Sequence, residues 1–260
     1  MLLVTSPRAG SCYNYRYQAI TNGTSLGSDI LVASNMKGLV GALADLKPDL
    51  IFVAGFPRKL PPNLLELPRL GCINLHPSLL PRYRGPDPLF WQFMNDETHV
   101  GFTFHRMDTD FDTGPILIQR HMEIAPEDDI SSFYAKLLDQ ALSTLPEVLH
   151  AVATGMPGIP QSTEDASYAP LCTEVERQLD WTRTATQLRN QVRAWGWGGA
   201  LAKINGQTIL IRRTKIVNSP LKPARSEPGS ILERSDEGLL VQTGHGVLLI
   251  EDFAYYEVTP

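Results

Sequence analysis

"DILVASNMKGLVGALADLKPDLIFVAGF", residues 29–56, decides the fold. Two short runs rich in aliphatic residues, "DILVAS" (29–34) and "LIFVAGF" (50–56), flank "GLVGALADLKPD" (38–49), whose apolar residues recur at helical spacing. That alternation of strand, helix and strand suggests a parallel sheet wrapped by helices. Working outward, "LLVTS" (2–6) reads as an earlier strand, and "GCINLH" (71–76) and "HVGFTFHRM" (99–107) as later ones, with a helix over "DPLFWQFMND" between them. "ILIQRHMEI" (116–124) alternates as an edge or hairpin strand would. "SSFYAKLLDQALSTLPEVLHAVATG" (131–155) has the length and period of a long amphipathic helix, with Ser131 or Ser132 as its cap. The class is α/β, with a mostly parallel sheet wrapped by helices.

At "MPGIPQSTEDASYAP" (156–170) the composition turns to Pro, Gly, Ser and acids without periodicity, which predicts a linker between a domain over 1–155 and another over 171–260. The second part holds one helical stretch, "TATQLRNQVRAW" (184–195), and short strands parted by Gly, Asn and Asp turns, a pattern that favours a small β-barrel. "RAWGWGG" (193–199) puts two tryptophans beside glycines, read either as core aromatics or as a contact for an acceptor or carrier.

Composition narrows the function classes. A net charge of -5 gives no overall attraction for nucleic acid or an anionic membrane, so small-molecule chemistry is the default. Cys12, Cys72 and Cys172 are far apart and form no C-x-x-C, which suggests neither a disulfide framework nor a zinc site and fits a cytoplasmic location. No run approaches the ~18 apolar residues of a membrane span, and the N-terminal apolar stretch is too short for a secretory signal.

In an open parallel sheet, ligands gather at the carboxyl ends of strands. Asn74 and His76, in "CINLHPSLLPRYRGPDPLFW" (72–91), end one such run, and their i, i+2 spacing puts both side chains on one face. Alone, the pair reads more often as a turn asparagine beside a structural histidine. A third member is offered by "MDTDFDTGPILIQ" (107–119), where Asp108, Asp110 and Asp112 lie in a loop between two strands. The alternation of acids is superficially calcium-like, but the Gly and terminal Glu of a calcium loop are missing, so no metal is expected.

"NLHPSLLPRYRG" together with "FDTGPI" resembles the folate-dependent formyltransferases, the group of methionyl-tRNA formyltransferase, the glycinamide ribonucleotide enzyme and the sugar-amine N-formyltransferases. Beyond the linker, "YAPLCTEVERQLDWTRTATQLRNQVRAW" is similar to the start of the C-terminal barrel of the methionyl-tRNA subfamily. The resemblance implies a Rossmann-like catalytic domain, an OB-like barrel, and N10-formyltetrahydrofolate as co-substrate without a metal. It maps the catalytic Asn, His and Asp onto Asn74, His76 and Asp112. Pterin contacts would fall on Phe56, Arg58 and Leu60 and on Asp110 and Phe111, although Phe56 and Leu60 read equally well as core. "LLVTSPRAG" matches the family's second strand better than its first, so one strand and one helix are expected to be missing from the sheet.

Formyl transfer to an amine develops an oxyanion and releases a proton, so an amide donor and an imidazole base are the groups required. A carboxylate at Asp112 is expected to raise the His76 pKa and to orient the ring. For the acceptor, "GPDPLFW" (85–91) is similar to the "DP-x-FW" of small-amine enzymes, which makes Asp87 and Trp91 substrate candidates. Arg82 and Arg84 would meet the folate glutamate tail or an acidic acceptor, or else belong to a solvated loop. A tyrosine-rich loop, "SCYNYRYQAITNGTSLG" (11–27), stands where the tRNA enzymes carry a basic one. Residues 171–260 carry 11 Lys/Arg against 10 Asp/Glu, short of the basic excess that phosphate neutralisation favours. These cues predict a small or carrier-bound amine acceptor, such as an amino sugar or specialised-metabolite amine, with room for a homodimer. Methionyl-tRNA formylation and formyltetrahydrofolate hydrolysis are the alternatives.

Overall fold

The computed structural model describes residues 2–5, 29–32, 35–56, 58–196, 198–217 and 226–256. The tyrosine-rich loop, Cys12 and Trp197 lie outside them. Strands β1 (Leu2–Thr5) and β2 (Asp29–Val32) pair in parallel. Helix α1 (Met36–Leu46) starts where Asn35 accepts the Gly38 N–H at 2.7 Å, and stops at Lys47, whose φ of 46° is left-handed, one residue before Pro48. Its buried Leu39 and Leu43, one turn apart, meet Val53, Leu60, Leu64 and Cys72 in one apolar cluster.

Strand β3 (Ile51–Ala54) pairs in parallel with β4 (Cys72–His76), and the short helix α2 (Pro62–Leu65) lies in the crossover. From β4 onward the pairing changes. Strand β5 (His99–Arg106) runs antiparallel to β4, and β6 (Ile116–Glu123) antiparallel to β5. A loop as short as 107–115 can return the chain only to an antiparallel neighbour, since a parallel one needs a crossover. Helix α3 (Pro88–Met94) precedes β5. The long helix α4 (Ile130–Ala153) begins one residue earlier than Ser131. Its cap is Asp129, which accepts the Ser132 N–H at 2.8 Å while the Ser132 hydroxyl accepts the Asp129 N–H at 3.1 Å.

The chain divides into two compact units: residues 1–88, 99–123 and 136–171 in one, and 89–98, 124–135 and 172–260 in the other. The second unit holds helix α5 (Glu174–Arg177), helix α6 (Ala185–Ala194) and strands β7 (Ala200–Ile204), β8 (Gln207–Val217), β9 (Ile231–Ser235), β10 (Gly238–Gln242) and β11 (Val247–Tyr255). The strands form one antiparallel sheet in the order β7-β8-β11-β10-β9. Among the described residues no strand pairing joins β7 to β9, so the sheet is open where a closed barrel was expected. Helix α6 is capped by Thr184 and Gln187 and buries Leu188 and Val192. Trp195 is core: it is 3% exposed, its indole N–H donates to the Glu176 carbonyl at 3.1 Å, and its ring meets Phe90 at 5.5 Å. Among the described residues no helix is long and apolar enough to cross a membrane.

Candidate active site

Strand β4 carries Asn74 and His76 on the same face, at the end of the strand where the parallel neighbour β3 also terminates. The antiparallel register of β5 sets His105 directly opposite Asn74 and Thr103 opposite His76. Thr103 secures the chain after His76: its hydroxyl donates to the Ser78 carbonyl at 2.7 Å and accepts the Leu80 N–H at 3.2 Å. Asp112 reaches the same place from the 107–115 loop. Its φ of 57° is left-handed, a conformation that Asp tolerates better than most residues.

The carboxylate is the hub. Asp112 Oδ2 accepts the Gly85 N–H at 2.8 Å, and Oδ1 accepts Asn74 Nδ2–H at 3.3 Å. Oδ1 also lies 3.4 Å from His76 Nδ1 and 3.5 Å from His105 Nε2. Burial alone would push the Asp112 pKa up, but His76, His105 and the Gly85 N–H outweigh it and hold the carboxyl at about 2. Asp112 is therefore ionised at neutral pH.

His76 is 4% exposed, and its Nε2 lies 2.7 Å from the Tyr83 carbonyl. A carbonyl only accepts, so Nε2 holds the proton and the neutral ring leaves Nδ1 as a bare base beside Asp112. Burial pushes the His76 pKa down, and this outweighs the upward pull of Asp112 and of the Tyr83 carbonyl. The sequence-based expectation that Asp112 raises this pKa is corrected: the carboxylate acts in that direction, but the desolvation of a nearly inaccessible ring is larger. The same logic fixes His105. Its Nδ1–H donates to the Arg106 carbonyl at 2.8 Å, which leaves Nε2, 3.2 Å from Asn74 Nδ2 and 3.5 Å from Asp112 Oδ1, to accept from Asn74 in the neutral ring or to donate to Asp112 in the protonated one. With a carboxylate and, in the neutral ring, an imidazole lone pair facing it, the Asn74 amide must direct its NH2 inward.

The structure thus brings Asn74, His76 and Asp112 together, as the paired motifs predict. Sequence reasoning missed His105; its only signal is its position near the end of an alternating strand, and the cross-strand register that makes it meaningful is not in the sequence. Residues proposed for the pterin fall in two groups. Leu60, 6% exposed, belongs to the apolar cluster of α1 and β3, and Phe56 packs against that cluster. Their side chains serve the core, which leaves their backbone for a ligand. Arg58 is half-buried. Asp110 and Phe111 are exposed and joined by Lys59, which pairs with Asp110 at 2.9 Å and lies 5.0 Å from the Phe111 ring centre. Lys59 was not singled out from the sequence.

Among the acceptor candidates, Arg82 is exposed and lies 5.4 Å from the Tyr83 ring centre. Arg84 turns inward and donates through Nε and Nη2 to Gln161 Oε1 at 3.1 and 2.7 Å, an internal tie instead of a solvated arm. Asp87 is buried at 3% exposure. Trp91 lies on α3 in the second unit, its ring edge-on to Phe90 at 5.3 Å. Among the described residues no group of three His, Cys, Asp or Glu is arranged to hold a metal ion.

The chain is similar to known proteins along most of its length. A formyl transferase family model matches residues 31–149, and a model for the formyl transferase C-terminal domain matches residues 172–254. The methionyl-tRNA formyltransferase of Geobacter sulfurreducens is 38% identical over 217 residues, 82% of this chain and 66% of that one. That of Synechococcus sp. (strain JA-3-3Ab) is 39% identical over 217 residues, 82% of this chain and 67% of that one. The chain spans about two thirds of the length of the curated relatives it matches. In fold it is similar to the crystal structure of HypX from Aquifex aeolicus in complex with tetrahydrofolic acid, with a TM-score of 0.72 at 21% identity, over 98% of this chain and 44% of that one.

Proposed function

We propose that this chain, which belongs to the folate-dependent formyltransferase family, moves the formyl group of N10-formyltetrahydrofolate to the amino group of methionyl-tRNA. The observation that carries the acceptor is the run of relatives 32–39% identical over about four-fifths of the chain, all of them methionyl-tRNA formyltransferases. It overturns the sequence-based expectation of a small or carrier-bound amine. The cue behind that expectation, "GPDPLFW", has a packing explanation: Phe90 is fully buried between Trp91 and Trp195, and Asp87 is buried as well, so the motif reports how α3 is seated. A near-neutral count over 171–260 says nothing of where the charges sit, and so does not argue against a phosphate-bearing acceptor.

The residues around the site suit a folate. The chain leaving β3 passes beside His76, because Ala54 pairs with Leu75, and a Cβ at Gly55 would meet nothing within 4 Å. That leaves open backbone at the strand end. Phe56, Arg58, Leu60, Asp110 and Phe111 would hold the pterin, the first three through backbone or partly buried atoms. When bound, the folate supplies the formyl carbon. His76, neutral with a bare Nδ1, would take the proton of the attacking amine at that atom and return it to the leaving N10 nitrogen as the formyl C–N10 bond breaks. The resulting imidazolium is formed 3.4 Å from the ionised Asp112, which stabilises it. The Asn74 NH2 directs its two hydrogens at Asp112 and His105, at 3.3 and 3.2 Å, and would give up one of these bonds to donate to a developing oxyanion.

The test is transfer from N10-formyltetrahydrofolate to charged initiator tRNA, run beside a panel of amino sugars and amino-acid-derived amines at matched salt. Saturable formylation of the tRNA is the expected result, with log K falling by roughly 0.9 per log salt for each phosphate neutralised. Transfer to the small amines with none to the tRNA would refute the acceptor, and no transfer to either would refute the activity.

A further inference from the structure

Residues 158–169 have the composition of a passive linker, yet their contacts converge on the candidate site. Ile159 exchanges backbone hydrogen bonds with Ile116, both at 2.8 Å, which fastens the segment to the start of β6. Gln161 then uses its whole carboxamide. Nε2 donates to the carbonyls of Asp112 and Gly114, each at 2.8 Å, while Oε1 accepts both bonds from Arg84. It therefore ties the residue that bears the carboxylate to the residue immediately before Gly85, whose N–H holds that carboxylate.

Six residues further on, the Ser167 hydroxyl accepts the Tyr83 N–H at 2.8 Å, and the Ser167 carbonyl accepts the Arg84 N–H at 2.9 Å. Tyr83 is the residue whose carbonyl receives His76 Nε2–H. The Ala169 N–H donates to the Arg84 carbonyl at 2.6 Å, and a Cβ at Gly85 would come within 2.6 Å of the Ala169 carbonyl oxygen. One stretch of chain thus braces the backbone behind both His76 and Asp112.

We infer that residues 158–169 form a strap that sets the His76–Asp112 geometry, with Gln161 and Ser167 as positioning residues. Without the Gln161 amide, the Asp112 and Gly114 carbonyls lose their donor and the left-handed turn that aims the carboxylate is released. Without the Ser167 hydroxyl, Tyr83 loses the anchor that presents its carbonyl to His76. The inference rests on the formyl-transfer reading only for its kinetic readout.

The closing experiment uses the full chain and three proteins: wild type, Gln161→Met and Ser167→Ala. The His76 imidazole is titrated by NMR without any ligand, and the melting temperature is recorded. The groups facing His76 are Asp112 and His105. Since Asp112 and the Tyr83 carbonyl both pull the His76 titration midpoint upward, loosening either lowers it, so a lower midpoint is expected in both variants. In formyl transfer, kcat should fall roughly 10–100-fold with KM for the folate little changed, as expected for misplacement of a reacting group. A wild-type midpoint in Ser167→Ala and in Gln161→Met overturns the strap; if Gln161→Met does not fold, Ser167→Ala alone decides. A wild type that transfers no formyl group refutes the activity, while the titration still decides this inference.

Discussion

Asp112→Asn is the substitution whose cost follows most directly from the structure. The carboxylate is held at about 2 against its ordinary 3.8, a depression worth roughly 2–3 kcal/mol. Because the folded value lies below the unfolded one, this stability is fully present above pH 4–5 and is lost as the pH falls through the folded pKa. It should be about half gone by pH 3. An asparagine there also presents one NH2 to groups that donate to Asp112, so either the Gly85 N–H or the Asn74 amide loses its acceptor, at a cost of about 1–3 kcal/mol that does not vary with pH. Urea unfolding of wild type and variant from pH 7 to pH 3 separates the two parts. The carboxylate's part of the gap should hold to about pH 5 and shrink by about 1 kcal/mol at pH 3, while His76, no longer pulled upward in the variant, widens the gap below pH 6.5 by an amount read from its own NMR titration. A gap that stays flat to pH 3 once the His76 part is subtracted would refute the placement of Asp112 as an ionised hub.

His76→Ala should lower kcat for formyl transfer by roughly 10²–10⁴-fold, and near-normal turnover would remove His76 as the base. Since burial lowers the His76 pKa, the acid limb of kcat/KM should lie below the ordinary 6.5, with activity lost as the pH drops through it; a limb above 6.5 would contradict the buried, neutral ring. Gly85→Ala combines a φ of 108° with a Cβ 2.6 Å from the Ala169 carbonyl oxygen and 2.7 Å from the Tyr168 ring, so a loss of at least about 2 kcal/mol in urea unfolding is expected. His105→Leu should reduce kcat more than His105→Gln, which retains an acceptor for Asn74; equal losses would show that the His105–Asn74 contact is incidental.

Elements defined by periodicity were legible in the sequence. The first helix, read over 38–49 and found at Met36–Leu46, and the strands around Asn74 and His105 appear because apolar residues repeat at 3.6 or 2, and the i, i+2 placement of Asn74 and His76 follows from the strand period alone. His105 was not legible as a partner, because pairing register across strands is set by three-dimensional closure. Gln161 was hidden for another reason: a side-chain amide that clasps two carbonyls leaves no mark in composition, and the Pro- and Ser-rich stretch around it resembles any tether. The acceptor was misjudged from "GPDPLFW" because a motif that packs a helix and a motif that reads a substrate use the same aromatic residues.

The anchors of His76 and Asp112 are main-chain atoms: the Tyr83 carbonyl and the Gly85 N–H. No replacement of the tyrosine side chain can delete that carbonyl, so what inheritance must preserve at position 83 is a bend of the chain. At φ 58° that bend is cheapest for Gly or Asn, which makes residue 83 a place where sequence can drift toward small residues while the proton inventory of the site stays the same. Variation among descendants of this chain would then collect on the loop's outward side chains, free to be retuned for a partner, while the imidazole keeps its tautomer.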